Sequence, residues 1–257
     1  ASHNVGHGSS HEETAVHNDV ADLENHTAKA ALHDVEEAHD ATSDKEHAAH
    51  EEHVLHQLQN RPWSAFYVAL FFSLGITLLV LAFYAIQRVA QVGWSILILR
   101  VMEAITANLL PTSIIMLVVI VASVMHLNHL FPWMAEGTVD PTSDNYDAII
   151  DGKSGWMNAT GFLIRSIAYL LIWNAYRFFI RKSSIKEDTA NDGNKTYKKN
   201  FTASVIFLFL FMITESMMSW DWIMGLDPHW FSTLFGWYVL ATLLVSALTV
   251  IAFFTIY

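Results

Sequence analysis

Five apolar runs, each long enough to cross a hydrocarbon layer, occupy most of this chain after residue 60 and leave few folds open to it. They fall at about 62–86, 109–131, 156–180, 201–224 and 230–257. The first, at 1.5 Å per residue, covers roughly 36 Å, enough to cross with some tilt. In lipid a backbone must satisfy its own polar groups, so runs of this length read as helices. The expected fold class is therefore all-α: a polytopic transmembrane helical bundle with about five spans. Between the first two runs, VGWSILILRVMEAI reads as an interfacial or re-entrant helix at about 94–107. In it Arg100 and Glu103 stand one turn apart and can pair, which lowers the cost of holding either near lipid.

The first 50 residues are different in kind. They are rich in Ala, His, Glu and Asp, and no aromatic residue appears before Trp63. Such a segment cannot bury enough apolar surface to offset its chain entropy, so 1–50 is expected to be a disordered, low-complexity piece ahead of a helical domain over 51–257. Val54, Leu55 and Leu58 then suggest a short amphipathic stretch lying on the membrane. The net charge of −11 reflects mainly this acidic start and argues against nucleic acid as a partner. Histidines such as His47, His50 and His53 are weak metal-ligand candidates; the alternative is a solvated acidic linker whose histidines titrate near neutrality. With no cysteine in the chain, disulfides, thiolate metal sites and iron–sulfur ligation are excluded.

Loop charges set the expected orientation. Lys and Arg follow the first and third runs, whereas the opening segment, the 132–156 loop and the loop at Asp227 are acidic. By the positive-inside rule the basic loops are cytoplasmic, and residues 1–60 lie outside. An external opening segment and an apolar run that ends at Tyr257 suggest an excerpt of a longer membrane protein.

The most unusual stretch is ESMMSWDWIMGLDPHW, Glu215 to Trp230. Glu215, Ser219 and Trp222 fall at i, i+4 and i+7, on one helical face. A desolvated carboxyl beside a hydroxyl has the makings of a proton relay; a structural Glu215, bound to Arg165 or to a backbone group between packed helices, is the competing reading. Asp221 is a further relay candidate nearer the water. Trp222, Asp227 and His229 are expected at the outer interface, with Asp227 and Pro228 starting the next helix. His126 and His129 form an HxxH pair near the end of the second run; haem or metal ligation, proton or quinone-headgroup contact, and interfacial hydrogen bonding are all open to them. Glu103 and Arg165 are either structural pairs or extensions of the relay toward the cytoplasmic side.

Four segments carry a resemblance: SMMSWDWIMGLDPHWFSTLFGWYVLA, EEHVLHQLQNRPWSAFYVA, AIQRVAQVGWS and HLNHLFPWM. Together they resemble the ActF-type membrane subunit of bacterial alternative complex III, over essentially residues 51–257. The resemblance implies an NrfD/PsrC-like helical protein of about ten spans, of which this chain would hold about five. It also implies a place in a quinol-oxidising respiratory complex of the bacterial inner membrane, with residues 1–60 periplasmic. Haem c and iron–sulfur clusters would sit in multihaem cytochrome and iron–sulfur partner subunits, and quinol in a sister membrane subunit. A terminal oxidase is a further partner it allows. No cofactor is expected on this chain itself, quinone contact aside, and its role would be scaffolding and proton translocation. The motif spans Glu215, Ser219, Asp221, Asp227 and His229, with His126 and His129 in the second element. A rival of another class is a metal or cation transporter whose His-rich segment gathers its substrate.

Overall fold

Hydropathy and helix-breaking residues account for the element order. The computed structural model describes residues 60–93, 96–143, 145–189 and 195–256, all within the unit Asn60–Tyr257. Residues 1–59, which include the low-complexity segment 1–50 and His47, His50 and His53, lie outside the described residues. Helix α1 is Asn60–Val89. Helix α2, Ile96–Ile105, passes through a 3-10 turn at Thr106–Asn108 into α3, Leu109–Val124. A single turn, α4 (Ala148–Asp151), precedes the long helices α5 (Ala159–Thr189), α6 (Lys195–Trp222) and α7 (Phe235–Ile256). Among the described residues there is no strand. Among the described residues five helical stretches are long and apolar enough to cross a membrane, the shortest being the 22 residues of α7, about 33 Å.

One element differs from the sequence expectation. The segment expected to be an interfacial helix at about 94–107 and the span expected at 109–131 form a single membrane-length element, Leu97–Val124. Pro111 is the reason. Lacking an N–H and crowding the carbonyl four residues back, it disfavours a regular α turn there, and the backbone tightens into the 3-10 turn just before it without breaking. The span also stops at Val124. Leu127 N–H bonds Ala122 O at 2.9 Å, and His126 N–H bonds Ser123 O at 3.1 Å. With His126 at φ 57°, this is a Schellman closure made without glycine.

The helices close on one another in a chain of neighbours: α3 on α5, α5 on α6, α6 on α7 and α7 on α2. Small residues permit the tightest approaches. A Cβ on Gly75 would lie 2.7 Å from Leu243 Cδ2, so α1 and α7 meet there only because the side chain is absent. The core is rich in aromatic rings. Tyr176 and Phe207 stack at 3.9 Å between α5 and α6, and Trp222 lies edge-on to both Tyr169 and Trp173.

The loops on the acidic side are tied to the bundle and to each other. Asn60 receives the His129 N–H at 3.1 Å and gives its own amide to His129 O at 3.4 Å, fixing the chain after α3 to the start of α1. Asp147 caps α4 through the Ile149 and Ile150 N–H groups. The loop at Asp227 docks on this element: His229 Nε2 lies 2.6 Å from Asp147 Oδ2, and Lys153 Nζ donates to Pro228 O at 2.5 Å.

Candidate functional site

Among the described residues three carboxylates, Glu103, Glu215 and Asp221, are buried in the bundle, and the helices give each a different environment. Arg165 sits six residues into α5, and Asp221 is next to last in α6. Packing of α5 on α6 brings them together: Arg165 Nε donates to Asp221 Oδ2 at 2.8 Å, and Nη2 to Oδ1 at 2.9 Å. Trp156 Nε1 and the Tyr169 hydroxyl each add a bond to Asp221 at 2.9 Å. The carboxylate thus accepts four hydrogen bonds, two of them from a guanidinium fork. The guanidinium also rests 4.2 Å over the Trp156 ring. This density of partners offsets the desolvation of Asp221, whose side chain is 2 % exposed. Sequence reasoning set Asp221 at the outer interface as a relay candidate; it is a buried, saturated acceptor that locks the start of α5 to the end of α6.

Trp222 is corrected in the same way. Expected at an aromatic interface, it is fully buried, donates Nε1–H to Ser166 Oγ at 2.9 Å and accepts the Tyr67 hydroxyl on its carbonyl at 2.8 Å. It joins α6 to α5 and α1. Trp220 and Trp230 are the exposed members of the stretch.

Glu103 lies toward the opposite end of the bundle. Its Oε2 receives Arg100 at 2.8 Å and also Arg181, and its Oε1 receives the Tyr84 hydroxyl at 3.1 Å. Tyr84 in turn accepts from Arg88 Nε and Nη2 at 3.2 and 3.0 Å. Arg88 Nη1 reaches both oxygens of Glu187 at 3.0 Å, and Asn200 Nδ2 completes the line at 2.6 Å. The line ties α1, α2, α5 and α6 together. Pairing of Arg100 with Glu103 is the part read from sequence; Tyr84, Arg181 and Glu187 come from helices that spacing alone cannot bring to it. Arg165 does not extend this cluster, since sixteen residues of α5, about 24 Å, separate it from Arg181.

Glu215 is the exception. Its residue is 1 % exposed, and Oε1 has no hydrogen-bond partner. Neither Arg165, which is held by Asp221, nor any other cation pairs with it among the described residues. Ser219 shares its face but not its hydrogen bond: the Ser219 hydroxyl donates to Ser216 O at 2.8 Å, close against Gly236 of α7. Thr214 is likewise engaged, donating to Leu210 O and accepting Trp173 Nε1–H at 3.0 Å. Six residues, about 9 Å along α6, separate Glu215 from the saturated Asp221.

The remaining sequence candidates are peripheral. His126 and His129 do not share a helical face, because α3 ends before them; both are exposed, and His126 lines a surface cleft of about 590 Å³ with Trp133, Thr138 and Asn158. Asp227 starts no helix. It accepts the His229 N–H at 3.2 Å in a local turn, and α7 begins only at Phe235. Among the described residues no group of three or more His, Asp or Glu side chains is placed to hold a metal ion. No protein-family model matches this chain, and no curated protein matches it.

Proposed function

We propose that this chain is an integral membrane subunit of a respiratory quinol:electron acceptor oxidoreductase of the alternative complex III kind, which scaffolds the complex and relays protons through Glu215. The observation that carries the relay is the contrast among the three carboxylates. Asp221 and Glu103 are each held by guanidinium and tyrosine hydroxyl partners, so both are committed to structural pairs. Of the three, and among the described residues, Glu215 is the one with a buried carboxyl oxygen left unbonded. An uncompensated carboxylate in an apolar bundle costs several kcal/mol, and a buried carboxyl that no structural partner claims is the group left over to pass a proton. The resemblance of the four segments to ActF-type subunits supports the complex. In that reading haem c and iron–sulfur clusters belong to partner subunits, quinol to a sister membrane subunit, and residues 1–60 to the periplasmic side of a bacterial inner membrane.

The reading is tested by purifying the complex that contains this chain from its native membrane. Co-purification of a multihaem cytochrome, an iron–sulfur protein and a second membrane subunit, with quinol-dependent haem reduction, is the expected result. A chain isolated without haem-bearing partners contradicts it.

A further inference from the structure

Independently of the respiratory reading, Arg177 of α5 stands without a counter-ion among the described residues. It lies between Asn174, which bonds Ser113 of α3 at 2.9 Å, and Arg181, which pairs with Glu103 of α2. Spaced i, i+3 and i+7, the three share a helical face turned toward the element Leu97–Val124. Among the described residues no acceptor bonds the Arg177 guanidinium, and its Nε is buried without a partner. Glu103, the carboxylate on that side, is already taken: Oε2 by Arg100 and Arg181, Oε1 by the Tyr84 hydroxyl. Arg177 and Arg181 are thus like charges at i, i+4, one unpaired and the other 46 % exposed, an arrangement that costs stability until an anion sits between them.

Depth in the bundle selects the anion. Eighteen residues, about 27 Å, separate Ala159 from Arg177, so a hydrocarbon layer of roughly 30 Å that begins with α5 ends beside Arg177. On the adjoining face Leu171, Ala175 and Phe178 form an exposed apolar strip, and the guanidinium carbon lies 5.0 Å from the Phe178 ring centroid. Lys182, one turn past Phe178, is exposed as well. We propose that Arg177 and Arg181 together hold the phosphate of an anionic phospholipid whose acyl chains run along Leu171, Ala175 and Phe178. A guanidinium fork suits a phosphodiester, and two forks one turn apart can share its two unesterified oxygens. The Lys182 ammonium beside them favours a headgroup that carries no cation of its own. A free phosphate would meet the same forks but leave the apolar strip uncovered.

The test is native mass spectrometry of the protein purified in detergent from its native membrane, delipidated and titrated with phosphatidylglycerol or phosphatidylcholine. Phosphatidylglycerol should be retained about fivefold better, the preference that roughly one basic residue gives at an anionic lipid surface. It should shrink at high salt, and inorganic phosphate added at constant ionic strength should leave the lipid bound. Arg177→Gln removes no protein hydrogen bond among the described residues, so the fold should tolerate it. It should bring phosphatidylglycerol down to the level of phosphatidylcholine, and Arg177→Lys, which keeps the charge but loses the fork, should preserve part of the preference. Equal retention of the two lipids by the unaltered protein overturns the proposal and needs no variant to fold. A preference that survives Arg177→Gln, as it would if a partner's carboxylate held Arg177, overturns it too, and so does displacement of the lipid by inorganic phosphate.

Discussion

Asp221 and Arg165 face each other across α6 and α5 as a two-point ion pair, with N–O distances of 2.8 and 2.9 Å, and the carboxylate is completed by Trp156 and Tyr169. Residues 56 positions apart in sequence are therefore one structural unit. Asp221→Asn leaves the Arg165 guanidinium, itself 17 % exposed, without its counter-charge. Loss of one partner of a buried pair costs on the order of 3–5 kcal/mol. Thermal unfolding in detergent should show a large drop in midpoint, and the double replacement Arg165→Met, Asp221→Leu should recover most of it.

Tyr84 supports a different end of the bundle. Its hydroxyl donates to Glu103 and accepts from Arg88, so Tyr84→Phe removes a link between two charged groups while leaving the ring in place. Hydrogen bonds to charged groups are worth about 1.5–3 kcal/mol. A stability loss in that range is expected, together with faster hydrogen exchange at the ends of α1 and α5. No change in either would mean that Glu103 is held by its arginines alone.

The loop contact between Asp147 and His229 carries a pH dependence with a definite sign. Desolvation pushes the Asp147 carboxyl up, but bonds from the Ile149 and Ile150 N–H groups and from His229 outweigh it, and the group is held below its ordinary value of 3.8. A depressed folded-state value stabilises the fold above the unfolded value, and that contribution is lost as pH falls through the folded one. Protection of the Ile149 and Ile150 amides should accordingly be steady above about pH 4 and fall below it. Asp147→Asn should flatten that profile; an unaltered profile would exclude Asp147 as its source.

The parts of this molecule readable from sequence are those fixed within one helix. Apolar run length marks the membrane-length helices, and Arg100 with Glu103 is visible as an i, i+3 pair on one turn. Pro111 misleads because a proline reads equally as a helix start and as a tolerated irregularity, and only packing decides which. Asp221 and Trp222 mislead for a longer-range reason. A helix end rich in Trp and Asp has the composition of a membrane interface, but α5 and the 152–158 turn cover it. Arg165 and Tyr169, spaced i, i+4, were a signal that some acceptor faced that side of α5, although nothing local names it. His126 and His129 lie past a helix end that no glycine announces.

The proposed relay rests on Glu215, and its most direct measurement is proton uptake coupled to quinol oxidation in the proposed complex carrying Glu215→Gln. Glutamine keeps the size and a hydrogen-bonding end but cannot release a proton at neutral pH. The account predicts an assembled complex with its full haem content in which coupled proton uptake is lost. Proton uptake equal to that of the unaltered complex, at equal electron flow, would contradict it.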